Sequence, residues 1–118
     1  MTFKNKKHAE RFLDATANMK NADSADSSLL ASIYLLTCYK RVWKRFENSL
    51  DKKNGIKPEA FDGFEPKSET ENALVTAAYD LLYCADCINL TDLTDKETVP
   101  NDAFAAICHA ISYVRYGL

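Results

Sequence analysis

The chain has 118 residues, of which 47% are hydrophobic and 27% charged, and its formal net charge is −2. These are the values of an ordinary globular protein, and the length fits one domain that buries a core without disulfides or metal. Three glycines and three prolines are too few for an all-β fold rich in tight turns. With no long apolar run and no signal-peptide pattern, we expect a cytoplasmic protein with reduced thiols that does not enter a membrane.

The first predicted element is an amphipathic helix over residues 5–19. His8, Phe12, Ala15 and Met19 recur at helical spacing on one stripe, and the charged side chains fall mostly elsewhere. This pattern is typical of a surface helix with one buried face.

The next helix is predicted to form the centre of the fold. Asp26 or Ser27 is expected to cap it, and residues 29–39 are apolar on almost every side, which requires neighbours on several sides. Residues 40–50 continue with an apolar edge opposite a basic one. One long bent helix, or two helices with a tight junction near Tyr39, would fit. The apolar edge consists of Val42, Trp43, Phe46 and Leu50.

The main break in the helical pattern spans residues 51–68. Asn54 and Gly55 form a turn signal, and Pro58 can open a short helix through Phe61. The chain is expected to stay irregular until the next helix begins.

A helix is then predicted from Ser68 to about residue 87. Ser68 and Glu71 form a capping-box pattern, and the apolar stripe that follows includes Leu81 and Cys84. Pro100 is predicted to start the last helix and Gly117 to close it. The stripe of this last helix is predicted to be Phe104, Ile107, Cys108, Ile111 and Val114.

These elements predict an all-α fold, a compact single-domain bundle of four to five main helices plus short helical turns, covering residues 1–118. The core is expected to be built around residues 29–36, Trp43, Phe46, Leu74, Leu81, Phe104 and Ile111.

The cysteines allow three interpretations. Cys84 and Cys87 lie three residues apart and could be half of a zinc site, a redox pair or two small core residues on a helix. A zinc site would need Cys108 and either Cys38 or His109 as further ligands, but adjacent residues on a helix point about 100° apart. A thioredoxin-like pair needs a strand-to-helix junction, and no strand is predicted. We favour buried structural thiols and predict no metal site and no cofactor.

Catalytic motifs are missing from the sequence. His8 and His109 are the two histidines, and each is expected to pack or cap rather than to act in acid–base chemistry. There is no Gly-rich phosphate loop, no G-x-S-x-G and no His-x-x-x-His pair. We therefore predict no catalytic residues and no enzymatic activity.

Charge is divided unevenly along the chain. Residues 1–57 hold twelve basic and six acidic residues, whereas residues 58–118 hold three basic and eleven acidic ones. Two halves that neutralise each other by packing would explain this, and so would opposed faces for an acidic and a basic partner.

A basic cluster within this first half is the strongest exposed feature. Its spacing i, i+1, i+4, i+5 places four cations on one side of a helix, and two lysines of the following loop extend it. A solvated face, contact with an acidic protein surface and phosphate contacts to nucleic acid all remain open. The candidate partner-binding residues are Lys40, Arg41, Lys44, Arg45, Lys52 and Lys53.

Three stretches of the chain resemble a family of short uncharacterised helical proteins from Firmicute phages and mobile elements. They are FKNKKHAERF, ASIYLLTCYKRVWKRFENSLDKKNGIKPEAF and AAYDLLYC. The positions that carry the resemblance are Phe3, Asn5, His8, Arg11, Phe12, 34–37, Trp43, 56–61 and 78–82. No catalytic residues come with the family, and its pattern does not include the cysteine pair. The resemblance implies an accessory gene that acts in a bacterial cytoplasm.

We therefore expect a non-enzymatic protein that occupies a surface of a bacterial protein partner. In its sharpest form, it would inhibit a defence nuclease, as anti-CRISPR proteins do. The alternatives are a nucleic-acid-binding regulator that uses the basic helix face 40–45, and a zinc-stabilised interaction module. No oligomeric state is predicted.

Overall fold

The computed structural model describes residues 2–17, 19, 27–51 and 55–117, and its secondary structure is mostly helical. The predicted fold class is therefore confirmed. Among the described residues, no helix is both long enough and apolar enough to cross a bilayer. The α-helices are α1 (Lys6–Thr16), α2 (Ser27–Leu36), α3 (Lys40–Phe46), α4 (Glu69–Tyr83), α5 (Leu90–Leu93) and α6 (Asn101–Tyr116). Short 3-10 turns cover Glu47–Ser49 and Pro58–Phe61, the second as predicted, and β1 (Leu50–Asp51) pairs with β2 (Gly55–Ile56).

Helix α2 lies at the centre of the fold, as predicted from its apolar sequence. Every residue from Ala31 to Leu36 is buried, and α2 packs against both α4 and α6. The buried Ser32 hydroxyl donates a 3.0 Å hydrogen bond to the Ala78 carbonyl oxygen of α4, so this polar group is satisfied. Ser27 is the first residue of the helix and not its cap, and the other predicted cap, Asp26, lies outside the described residues.

Helices α2 and α3 are separate, which is the second of the two predicted arrangements. Tyr39 adopts an extended conformation, φ −126° and ψ 136°, directly before α3 begins. The Arg11 guanidinium of α1 donates to the carbonyl oxygens of Thr37 at 2.7 Å and Cys38 at 2.9 Å. Because carbonyl groups at a helix end have no partner inside the helix, Arg11 completes the end of α2 and anchors α1 there.

The buried His8 side chain connects the N-terminal segment to α2 through hydrogen bonds. The Asn5 side chain caps α1 by accepting from the His8 backbone N–H at 2.9 Å. The His8 side chain is 0% exposed; its Nδ1 accepts from the Lys4 backbone N–H at 3.0 Å, and its Nε2–H donates to the Tyr34 carbonyl oxygen at 2.8 Å. These partners hold the ring neutral with its proton on Nε2. The ring belongs to an aromatic cluster with Phe3, Phe12 and Tyr34.

The ladder of β1 and β2 is strand structure that the sequence analysis missed. Leu50 pairs with Ile56 and Asp51 with Gly55, so Leu50 does not continue the helical edge to which it was assigned. Gly55 has a φ of +76°, which glycine adopts without a steric penalty. Gly55 is the first residue of β2, and the rest of the predicted turn, including Asn54, lies outside the described residues.

Helix α4 begins at the predicted cap, although the capping geometry differs by one residue. The Ser68 Oγ accepts from the Glu71 backbone N–H at 3.1 Å. The Glu71 carboxylate accepts from the Lys67 backbone N–H at 3.0 Å, whereas a capping box would use the N–H of Ser68. The backbone N–H groups of Lys67 and Glu71 both have a side-chain acceptor, so the cap still stabilises the start of the helix.

The other end of α4 comes earlier than the predicted residue 87. Cys84 has φ 53° and ψ 36°, a left-handed conformation that stops the helix after Tyr83. The Asp80 carboxylate accepts from the backbone N–H groups of Cys87 at 3.1 Å and Ile88 at 2.8 Å, which offers the chain an alternative to another helical turn. Cys84 is exposed, so its predicted place in the core is wrong.

Helix α6 turns a different face to the core from the predicted one. Ile107 and Val114 of the predicted stripe are buried and half-buried, but Phe104 is 43% and Ile111 45% exposed, and Cys108 is exposed as well. The core predictions for these three exposed residues are wrong. Small side chains allow helices to approach closely, and the buried face is formed by Ala103, Ala106, Ile107 and Ala110.

Candidate functional site

The predicted basic cluster is divided between two roles. Helix α3 buries Val42, Trp43 and Phe46, so its cations point outwards as expected, and all four are exposed: Lys40, Arg41, Lys44 and Arg45. The two further candidates, Lys52 and Lys53, lie outside the described residues.

The two arginines of the cluster hold α3 to the segment before α4. Arg41 forms a 2.8 Å ion pair with Glu71 and a 2.9 Å hydrogen bond to the Glu65 carbonyl oxygen, and its guanidinium lies 5.8 Å from the ring centre of Phe64. Arg45 donates to the Asp62 carbonyl oxygen at 2.8 Å. These guanidinium groups are occupied within the molecule, so their first role is structural.

Replacing Arg41 with alanine is expected to lower the free energy of unfolding by about 1–2 kcal/mol. The Glu71 side chain is 12% exposed, and the variant leaves this carboxylate without its cation. The matched control, Lys44→Ala on the same helix, should change stability by less than about 0.5 kcal/mol, as for an ordinary surface site. Urea denaturation followed by circular dichroism measures both values. Equal effects of the two variants would contradict the structural role of Arg41.

The lysines of the cluster face α1 across a groove of about 320 Å³. Lys7, Lys40 and Lys44 line it above Trp43, together with Arg11, which is already bonded to the end of α2. Three carboxylates share the groove, namely Glu10, Asp14 and Glu47. We call this the α1–α3 groove. Its charges nearly balance, so it lacks the continuous positive field that attracts phosphates.

Only one of the four cysteines is buried. The pKa of the Cys38 thiol is raised to about 12 by its burial, so this group is an inert core residue, as predicted. Cys84, Cys87 and Cys108 are exposed, so the favoured interpretation of buried structural thiols is wrong for these three. Hydrogen bonding and charge from Asp80 raise the pKa of Cys87, which disfavours its thiolate. Within the described part of the chain, no three His, Cys, Asp or Glu residues converge as metal ligands.

A second cavity, of about 200 Å³, holds the most varied functional groups. Lys4, Tyr39, Asp102 and His109 line it between the N-terminal segment and α6. The Lys4 ammonium lies 4.4 Å from the centre of the Tyr39 ring. Burial first, and then the Asp102 carboxylate, raise the pKa of the Tyr39 phenol, so the phenol stays protonated at neutral pH. The phenol can donate a hydrogen bond, but it is not a base.

An apolar groove runs along α6 on the face that the sequence analysis assigned to the core. It has a volume of about 110 Å³ and lies between α4, α6 and the segment around α5. We call it the α6 groove, and its lining residues are Ala77, Asp80, Leu81, Ile88, Leu93, Ile107 and Ile111. Because residues three and four apart share a helix face, Phe104 and Cys108 extend the apolar surface beside Ile107 and Ile111.

The α6 groove is suited to binding apolar side chains rather than to chemistry. Its one ionisable group, Asp80, already accepts two backbone N–H groups. The other lining residues offer only hydrocarbon side chains. Contiguous exposed apolar surface of this kind marks interaction sites.

This site could not be recognised from the sequence because the bulkiest periodic residues of α6 were predicted to face the core. The signal that could have identified it is the second periodic set, Ala103, Ala106 and Ala110, at the same helical spacing. Two stripes on one helix imply either two buried faces or one exposed apolar face.

The chain belongs to family DUF6075, a family of unknown function, whose model matches residues 1–117. The resemblance to an uncharacterised family is thereby confirmed at the level of the family. A search of curated proteins and a search of solved structures each gave no match.

Proposed function

We propose that the protein is a non-catalytic binding protein that docks onto another protein through the α6 groove. The observation that carries the proposal is the position of Phe104 and Ile111, each nearly half exposed beside apolar lining residues. A helix that is amphipathic towards the core normally turns polar side chains to water. Aromatic and aliphatic anchors placed beside a pocket are the groups that dominate the binding energy of protein interfaces.

The resemblance described above supports a more specific version of the proposal. Related proteins of phages and mobile elements would act in a bacterial cytoplasm, where a component of a defence system, such as a nuclease, would be the partner. In that version, the protein occupies a working surface of the partner and blocks it without chemistry.

Binding of nucleic acid through residues 40–45 is the alternative, and it has less support. Arg41 and Arg45 are engaged within the molecule, and Lys40 and Lys44 share the α1–α3 groove with carboxylates. Binding there would need the engaged arginines to give up their present partners.

Capture experiments with three variants test the proposal. Phe104→Ser with Ile111→Ser removes the apolar anchors, Lys40→Glu with Lys44→Glu reverses charge at the α1–α3 groove, and Leu13→Ser removes an exposed leucine from α1, where that side chain is 60% exposed. Each immobilised variant is incubated with bacterial lysate. Any captured protein is then purified, and its dissociation constant is measured.

The α6 double variant is expected to weaken binding at least about 30-fold, because each lost anchor is worth about 1 kcal/mol or more. The other two variants should bind as the unmodified protein does. Loss of binding in the Lys40→Glu/Lys44→Glu variant, with binding retained by the α6 variant, would transfer the site to the basic face and overturn the proposal. Thermal unfolding of each variant checks that the fold is intact.

A further inference from the structure

One of the segments that line the α6 groove is strongly acidic in its sequence. Residues 80–97 supply Leu81, Ile88 and Leu93 to its walls. The same segment carries one cation, Lys96, and five carboxylates: Asp80, Asp86, Asp92, Asp95 and Glu97. Hydrogen bonds from the Glu97 backbone N–H and the Thr98 hydroxyl lower the pKa of Asp95. Part of the apolar lining of the groove therefore comes from a segment of net charge −4 (one minus five).

The shape of this surface suits a helix rather than a strand. Phe104, Cys108 and Ile111 follow the spacing i, i+4, i+7 along α6, and such a row packs against the ridges of another helix. A docking strand would need a sheet edge, but the ladder that the structure describes consists of two residue pairs, Leu50 with Ile56 and Asp51 with Gly55. A partner helix would lie along α6 and place its apolar side chains in the groove.

A second copy of the chain is a poor occupant. A symmetric dimer brings the same patch of each copy together, so two segments of net charge −4 would face each other across the contact. Like charges placed opposite one another at an interface are unfavourable. A contact between the α6 groove of one copy and α1 in the basic half of another is also poor. Helix α1 exposes one large apolar side chain, Leu13, and a single side chain does not form an apolar stripe.

We infer that the α6 groove accepts a cationic amphipathic helix of another protein. This inference rests on the proposed function and names the chemistry of its partner. Apolar side chains of the partner, spaced three and four residues apart, fill the space between Leu81 and Ile111. Lysine or arginine side chains flanking that stripe are attracted by the acidic segment that lines the groove, in which Asp86 and Glu97 are exposed. The apolar contacts supply most of the affinity, and the charges select the partner and speed its association.

Three labelled peptides of about 18 residues, which is about 27 Å of helix, test the inference. They share one leucine face and carry lysine, glutamine or glutamate on the other face. Fluorescence anisotropy with the full chain measures their affinities at low and high salt. At low salt, the lysine peptide should bind at least about tenfold tighter than the glutamine peptide, and the glutamate peptide weakest, with the differences shrinking at high salt.

Charge variants separate local from overall attraction. Asp86→Lys with Glu97→Lys should weaken the lysine peptide at least about tenfold. Asp14→Lys with Glu47→Lys makes the same change in net charge at the α1–α3 groove and should leave the affinity unchanged. Ile111→Ser should lower the affinity for all three peptides, because it removes the apolar contact that they share.

The outcomes distinguish this inference from the proposed function. Equal affinities of the lysine and glutamine peptides, both lost in Ile111→Ser, would overturn the cationic partner and leave the docking surface in place. Equal weakening by the two charge double variants would also overturn it, because the attraction would then come from net charge alone. Failure of the lysine peptide to bind, or a dimer in sedimentation that Ile111→Ser dissociates, would show that a cationic helix is not the occupant. Retention of the captured protein by the α6 double variant would overturn the proposed function itself.

Discussion

Replacing Phe46 with alanine is expected to lower the free energy of unfolding by about 3–5 kcal/mol. The Phe46 side chain is 0% exposed, and its ring centre lies 4.9 Å from that of Phe61 and 5.6 Å from that of Phe64. The variant loses the transfer energy of the ring and leaves a cavity among aromatic side chains that are held by other contacts. Urea denaturation monitored by circular dichroism measures the change.

Phe104→Ala is the matched control for this prediction. The same side chain is removed, but Phe104 is 43% exposed on α6, so the expected loss is about 1–2 kcal/mol. The difference between the two variants separates a phenylalanine that supports the fold from one that is available to a partner. A loss at Phe104 as large as that at Phe46 would place Phe104 in the core and remove the basis of the α6 groove.

Acidification is expected to destabilise the protein through His8. Burial, outweighing the hydrogen bond to the Tyr34 carbonyl, lowers the pKa of His8 from 6.5 to about 4. Between these two values, the unfolded chain holds the proton and the folded chain does not, so the free energy of unfolding falls as the pH falls. The loss begins near the unfolded pKa, is complete below the folded one, and amounts to about 3 kcal/mol.

Comparison of two histidine variants isolates this effect from the titration of carboxylates. His8→Gln should flatten the dependence of stability on pH between about 6.5 and 4, at the cost of a lower stability at neutral pH. The matched control is His109→Gln, which removes a histidine at an exposed position of α6. Titration of the His8 ring followed by nuclear magnetic resonance gives the pKa directly. A midpoint near 6.5 would contradict the buried neutral ring.

The interior of the fold could be predicted from the sequence where the side chains of a segment allow only one arrangement, which for an apolar segment is burial. Residues 29–36 are apolar on almost every side, which requires neighbours on several sides, and α2 is the central helix. The Ser68 cap and the 3-10 turn at Pro58 were predictable because local backbone groups decide them.

Predictions were wrong where a local pattern allowed two solutions. On α6, the bulky residues and the alanines both recur at helical spacing, but only the bulky set was predicted to face the core. Other small residues, among them Ala31 and Ala73, are buried in α2 and α4. Close contact between helices requires small side chains. Because the alanines of α6 face the other helices, Phe104 and Ile111 face outwards.

The roles of the charged and sulfur-containing side chains also depended on distant neighbours. Arg41 and Lys44 look alike in the sequence, but long-range contacts with Glu71 and the Glu65 carbonyl make Arg41 structural. Cys84 was assigned to the core because its spacing continued a helix, and the hydrogen bonds of Asp80 to the following turn ended that helix first.

The amino-acid sequence by itself determined that the protein is helical, which helix is central and where several helices begin. These properties follow from periodicity and from hydrogen bonds between residues that are close in the chain. The tertiary structure alone decided which face of α6 is buried, which cations are free and where α4 ends. Those outcomes depend on the shapes and charges of segments that are remote in the chain and meet only after folding.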